Sequence, residues 1–187
     1  MPVREIELAS FIYQSRKGSD MATFHHQLKS GKKGTANQHA KYITRQGAYE
    51  DREDLVAKGH GNLPHWAETP KEFWKAADKF ERRNGAAFRE HEVALPIELT
   101  TTQQIELAQQ LINDLAGHKP YEFAIHANTS SLEGKCNTHM HLMISDRLPD
   151  GIGRTPEQTF KRFNAKHPDR GGCKKDSGGR GRAMLST

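Results

Sequence analysis

Thr138-His139-Met140-His141-Leu142-Met143-Ile144-Ser145 decides how this chain folds. The run is apolar and β-prone apart from its two histidines. Side chains alternate across a strand, so His139, His141 and Met143 point one way. Met140, Leu142 and Ile144 point the other way, into a core. Upstream, Tyr121-Glu122-Phe123-Ala124-Ile125-His126 reads as a second strand that ends on a histidine, with a small and polar loop from Asn128 to Asn137 between the two. Paired as a hairpin, they put His126 on the face of His139 and His141. Three neutral imidazoles with open positions beyond them suit a divalent ion that also holds a substrate oxygen. The chain has 11 His, so a His-x-His pair can also be a solvated strand face. The third histidine on the neighbouring strand favours the ion. Such a triad serves zinc hydrolysis as readily as magnesium- or manganese-assisted phosphoryl transfer, so it points to a metal without naming a reaction.

Outward from this hairpin, helical and extended patterns alternate. Residues 1–20 read as a short amphipathic helix, and Met21 to Leu28 as a first strand. Lys29 to Ala36 reads as a Gly/Ser/Lys loop. A helix is expected from Asn37, as N-cap, to Gln46, with Gly47 as its stop. Residues 50–69 are charged, carry Gly and Pro, and read as an irregular connection. A second helix covers 71–83, with Phe73, Trp74, Ala77 and Phe80 on one side. A strand follows over Phe88–Leu95 and stops at Pro96. Thr101 to Gln104 resembles a capping box that opens a helix to Gly117. Pro156 to Phe163 suggests a short helix, and the chain beyond Asn164 a mobile basic segment. No internal repeat is visible. The adjacent strands 121–127 and 138–146 favour an α+β fold: a central antiparallel β-sheet flanked by helices. The expected divisions are an extension over 1–20, one domain over 21–164, and a basic segment over 165–187.

The 187 residues suffice for one domain with a real core. Mean hydropathy is −0.85, and no apolar run approaches the roughly 20 residues that cross a bilayer. The first twenty residues lack the pattern of a signal peptide. Cys136 and Cys173 fit no metal or redox spacing, so the cytosol is the expected compartment. The net charge is +5, which favours a polyanionic partner. From Gly153 to Thr187 there are nine Lys or Arg against three acidic residues, and Lys29, Lys32 and Lys33 form a second cluster. Charge alone leaves a solvated face as an equal reading of either.

Only four tyrosines occur: Tyr13, Tyr42, Tyr49 and Tyr121. Tyr42 is off the Ala36/Ala40/Ile43 stripe of its helix, with Gln38, His39 and Arg45 at helical spacing. A tyrosine beside Arg and His can attack phosphorus. It can equally cap the edge of a core. Glu90 and Glu92 share one face of the strand 88–95. Either can fix the tautomer of a ligating imidazole or take the tyrosine proton, and either can simply be solvated.

These residues carry a resemblance. "HAKYITRQGAY", "FREHEVALPIEL", "AIH…CNTHMHLMISDR" and "DGI…TFKRFN" resemble, in order, the blocks of the MobA/MobL family of plasmid mobilisation relaxases, within the larger His-hydrophobic-His (HUH) endonuclease group. The match covers about Met21 to Asn164. Residues 1–20 match nothing, and the chain resembles an isolated relaxase domain of a longer protein. The resemblance implies an HUH-relaxase, ferredoxin- or palm-like sheet with single-stranded DNA in a cleft. It implies nicking of one strand at an origin of transfer, with a 5′-phosphotyrosine and a free 3′-hydroxyl, in the bacterial cytoplasm. By motif position Tyr42 is the nucleophile, and His126, His139 and His141 hold Mg²⁺ or Mn²⁺. Glu92, with Glu90 as fallback, supports the site. Arg45, Lys161, Arg162, Lys166 and Arg170 are expected along the DNA, with Phe160 or Phe163 available for base stacking, and a surface helix with a hydrophobic underside is an equal reading of the two Phe. Accessory mobilisation proteins and a type IV coupling and secretion system are the implied partners.

A rolling-circle replication initiator of the same group is the nearest alternative, but its tyrosine helix usually follows the histidine pair, and no tyrosine follows Tyr121 here. A metal-dependent hydrolase would need no tyrosine, and a non-catalytic DNA-binding module would tolerate loss of all three histidines.

Overall fold

The computed structural model describes residues 25–129 and 136–176. The expected N-terminal helix, the start of the first strand before His25, and the basic residues after Asp176 lie outside the described residues. The elements in chain order are β1 (His26–Lys32), α1 (Ala36–Ile43), β2 (Leu55–Gly61), α2 (Pro70–Phe80), β3 (Ala86–Leu95), α3 (Thr101–Ala116), β4 (Tyr121–Thr129), β5 (Cys136–Ile144) and the short α4 (Pro156–Thr159). The strands form one sheet in the order β1-β3-β5-β4-β2, every neighbouring pair antiparallel. Helices α1, α2 and α4 cover one face, and α3 covers the other.

The alternation read from the histidine strands is what divides the core. On β5, Met140, Leu142 and Ile144 pack with Val93, Leu95, Ile125 and the Ala108/Ile112/Ala116 stripe of α3. Met143 faces the opposite way, into a cluster of Ala40, Ile43, Phe73, Trp74, Phe88 and Phe160. Fully burying a side chain such as Ile112 contributes about 2 kcal/mol. The register sets His126 opposite His139 and Ala124 opposite His141, and β3 sets Glu92 opposite His141 and Glu90 opposite Met143. Residues directly opposite in a sheet share a face. The three histidines and both glutamates therefore all lie on the face that α1 and α2 cover.

The edges correct the sequence reading. β2 occupies part of 50–69, which was expected to be irregular. A Cβ at Gly59 would meet the Phe123 ring at 2.7 Å, and one at Gly61 the Tyr121 ring at 2.6 Å, so these glycines let cross-strand rings lie over the edge strand. β1 likewise continues through Lys29–Lys32 instead of opening a loop. A Cβ at Gly31 would lie 1.9 Å from the Phe88 ring. α1 starts at Ala36 without a side-chain cap of its own. Its orphan N–H groups go instead to Asp78 of α2, which accepts from Gly34, Ala36 and Asn37 at 2.9, 2.8 and 2.9 Å. Asn37 is thus inside the helix and not its cap. The capping box of α3 is one residue earlier than expected, Thr100 with Gln103.

The packed unit also extends beyond the expected boundary at Asn164. Cys173 N–H donates to Thr159 O at 3.1 Å, and Arg147 pairs with Lys175 in an isolated bridge. The Arg147 guanidinium, almost wholly buried, donates to both Glu81 oxygens and to Phe160 O, Lys161 O and Cys173 O. Among the described residues no helix is long and apolar enough to cross a membrane.

Candidate active site

The C-terminal end of α1 comes down on the histidine face at His126. That imidazole is 2% exposed, and burial pushes it down to about 4, so it is neutral. Its Nδ1 lies 3.2 Å from an Arg45 guanidinium nitrogen and its Nε2 2.6 Å from Ile43 O. Arginine only donates, so Nδ1 accepts and Nε2–H donates to the carbonyl. The His126 and His141 rings lie 4.8 Å apart. His141 Nδ1 donates to Glu90 Oε1 at 2.9 Å, which leaves Nε2 as the nitrogen not engaged by the carboxylate. His139 is half-buried, and burial lowers it too.

Glu90 is 1% exposed. Burial by itself would raise its acid, but the hydrogen bonds from His141 and the approach of His39 outweigh that and hold it at about 2. His39 Nε2 stands 3.0 Å from Glu90 Oε2, a close electrostatic contact. Glu92 does not reach a histidine nitrogen. It bonds the Lys29 ammonium on β1. That contact holds Lys29 above its ordinary value against the opposing effect of burial, and Glu90, Glu92 and Tyr42 add to it. The preference for Glu92 over Glu90 as partner of the imidazoles is therefore reversed. The two carboxylates share a face, as expected, but β1 supplies Glu92 with a lysine first.

Tyr42 is half-buried on the flank of α1 that faces His39. The Tyr49 ring meets it edge-on at 5.3 Å, and the His39 ring lies 6.1 Å away. The guanidinium carbons of Arg45 and Arg52 stand 5.0 and 5.5 Å from the Tyr42 ring centre. Arg45 has a left-handed backbone, φ 52°, unusual for a residue with a side chain. It is held there by two bonds to Asp54, at 2.7 and 2.6 Å, and one to Tyr42 O at 2.7 Å. One guanidinium thus ties the tyrosine's own carbonyl, an acid at the start of β2 and His126.

The structure brings Tyr42, Glu90, His126, His139 and His141 to one face of one sheet. Of the residues expected along the DNA, Arg45 lies at this face, on His126 Nδ1 and Tyr42 O. Arg45 is 7% exposed and spent on its ion pair, so it has no surface to offer a strand. Phe160 is wholly buried in the core and cannot stack on a base, because α4 ends at Thr159 and the ring turns under Trp66 and Phe73. Lys161, Arg162, Lys166 and Arg170 are exposed, and Phe163 is half-buried. Asp54 and Lys29 escaped the sequence reading as site residues, since both fell in stretches read as loop. The signal for Lys29 was its strand register opposite Glu90, visible only once β1 is extended.

The donor set suits a divalent ion in kind: three imidazoles on one face, whose nitrogens can offer lone pairs, with burial lowering His126 and His139. His126 offers none while Arg45 occupies Nδ1, and among the described residues no three His, Cys, Asp or Glu donors close on one point. Binding by all three requires His126 to exchange Arg45 for the ion.

Residues 27–180 match the MobA/MobL family. A 43 kDa relaxation protein of Salmonella typhimurium is 48% identical over 153 residues, covering 80% of this chain and 41% of that protein. Mobilization protein A of Escherichia coli is 42% identical over 171 residues, covering 88% of this chain and 23% of that protein. The chain thus spans less than half the length of these relatives. A solved Staphylococcus aureus structure, described as the molecular basis of vancomycin resistance transfer, shares the fold: TM-score 0.55 at 21% identity, over 70% of this chain and 73% of that one.

Proposed function

The chain belongs to the MobA/MobL family, and from that premise we propose that it is the strand-transfer domain of a plasmid relaxase, with Tyr42 as nucleophile. The observation that carries the reading is the meeting of a cation-ringed tyrosine with a buried carboxylate–imidazole face. The phenol oxygen of Tyr42 forms the new bond to phosphorus, and the bond from phosphorus to the 3′ oxygen breaks. The 5′ end stays on the enzyme, the phenol proton passes to solvent or to Glu92, and the departing oxygen is protonated to a 3′-hydroxyl. The bond energy is conserved in the phosphotyrosine, so the reverse step reseals the strand. Lys29, Arg45 and Arg52 set positive charge around the negative charge that moves through this exchange. Glu90 fixes the tautomer of His141 and so aims its free nitrogen. His126, His139 and His141 would hold Mg²⁺ or Mn²⁺, whose part is to draw charge from the non-bridging phosphate oxygens.

The substrate is single-stranded DNA at an origin of transfer, opened on supercoiled plasmid. Lys161, Arg162 and Lys166, which are exposed, would add backbone contacts. In mobilisation the domain would work with accessory proteins and a type IV coupling and secretion system. The test is incubation with supercoiled plasmid carrying the cognate origin and Mg²⁺ or Mn²⁺, followed by a denaturing gel. Wild type should yield open circles with protein on the 5′ end, and Tyr42→Phe, which removes one oxygen, none. Cutting by Tyr42→Phe that leaves a free 5′-phosphate would put water in the tyrosine's place. Calorimetry on His139→Ala and His141→Ala tests the ligands, and unchanged ion affinity in both would remove them.

A further inference from the structure

A groove of about 540 Å³ opens beside α1 on the flank away from Tyr42. That is within the ordinary range of ligand pockets, about 300–1,000 Å³. Lys41 lines it from α1 and Thr44 from the residue that follows it, Lys58 and His60 from β2, and Lys71 from the start of α2. At 100° per residue Lys41 lies about 100° around α1 from Tyr42, and the groove is lined by Lys41 and not by Tyr42. The groove and the tyrosine are thus separated only by the width of one helix. Three elements each contribute one lysine, and none of the three forms a direct ion pair among the described residues, although the Lys58 charge does act on Glu122. Lys58 Nζ donates only to Thr44 O, at 3.3 Å. The one acid that lines the groove is Glu122. It is 6% exposed and accepts from Trp74 Nε1 at 2.7 Å. Burial pushes it up to about 7, so an anion above it does not face a firmly ionised carboxylate.

We propose that this groove is a second contact for the nucleic acid: the phosphodiester backbone of the single strand, a few nucleotides from the phosphate at Tyr42, runs through it on Lys41, Lys58 and Lys71. The inference rests on the relaxase reading for its ligand. It assigns a role to a flank of α1 that the chemistry at Tyr42 leaves unused. A strand gripped on both flanks of α1 is held across the helix that carries the nucleophile, so the groove would fix the register of the cut as well as add affinity.

Fluorescence anisotropy of the full chain with a labelled oligothymidylate, in EDTA across a salt series, tests this by binding alone. The slope of log affinity against log salt is about −0.7 per phosphate neutralised on a single strand. The combined variant Lys41→Gln, Lys58→Gln, Lys71→Gln should shrink the slope by about 2 and weaken binding at least about tenfold at moderate salt. A variant with equal charge removed from exposed positions that do not line the groove, Lys79→Gln, Arg83→Gln, Lys174→Gln, should keep the wild-type slope. An unchanged slope in the groove variant, or an equal loss in the control, overturns the proposal. A groove-dependent slope in a chain that forms no Tyr42 adduct sinks the relaxase reading alone. An adduct with a groove-independent slope sinks the groove alone.

Discussion

At the scale of the residue, Glu90 links the buried sheet to the imidazole face. Its carboxylate lies between His141 and His39 and is kept ionised by them despite burial. Glu90→Gln keeps the volume, removes the charge and turns an amide toward one of the two imidazoles. Nicking should slow by about 10–100-fold, the usual effect of losing an orienting partner, while urea unfolding stays cooperative. Initial nicking rates check it, and a wild-type rate would remove Glu90 from the site. His91, on the opposite face, reports on the fold instead. Burial, then the nearby charges of His26, Lys119 and Arg89, lower it from 6.5 to about 4. The folded chain keeps it neutral where the unfolded chain protonates it. The unfolded state therefore binds more protons between pH 6.5 and about 4, and stability rises with pH through that window. Acidification across it should remove on the order of 2 kcal/mol on account of this residue. His91→Gln should flatten that part of the stability–pH curve measured by urea unfolding, and a curve parallel to wild type would contradict the assignment. Of these residues, the histidine strands and Tyr42 were legible because period-2 and period-3.6 patterns fix which way a side chain points. The choice between Glu90 and Glu92 was not legible, because it depends on Lys29 arriving from another strand.

At the scale of the element, the legible parts were those whose cores are built from their own apolar residues: α2, α3, β3, β4 and β5. β1 and β2 were hidden by composition. Gly31, Gly59 and Gly61 look like turn residues, yet each makes room for an aromatic ring of the neighbouring strand, and that ring is encoded more than fifty positions away. The start of α1 was misplaced for a similar reason, since its cap comes from another helix. Asp78→Ala strands three N–H groups at the head of the tyrosine helix. It should cost about 1–2 kcal/mol in urea unfolding, and Asp78→Asn, which retains an acceptor oxygen, should cost less. Equal stability of Asp78→Ala and wild type would mean that water replaces the carboxylate without loss.

At the scale of the whole molecule, one sheet with helices on both faces was read correctly from its central hairpin. The domain boundary was not. A Gly-, Lys- and Arg-rich stretch after Asn164 has the composition of a tail, but residues through Asp176 are bound in by contacts that no local pattern announces: Arg147, anchored on Glu81, gathers the carbonyls of Phe160, Lys161 and Cys173. The same architecture explains why Tyr42 and the imidazoles converge. α1 crosses the face, His39 meets Glu90 of β3, and Ile43 O meets His126 of β4, which fixes Tyr42 between them. Recovery of the covalent complex tests this convergence most directly. Wild-type chain is reacted with plasmid carrying the origin and a divalent ion, denatured, digested with protease and nuclease, and the nucleotide-bearing peptide is sequenced by mass spectrometry. The account predicts a single adduct on Tyr42, joined to the 5′-phosphate. An adduct on Tyr49, or a nicked strand with a free 5′-phosphate and no modified peptide, would contradict it.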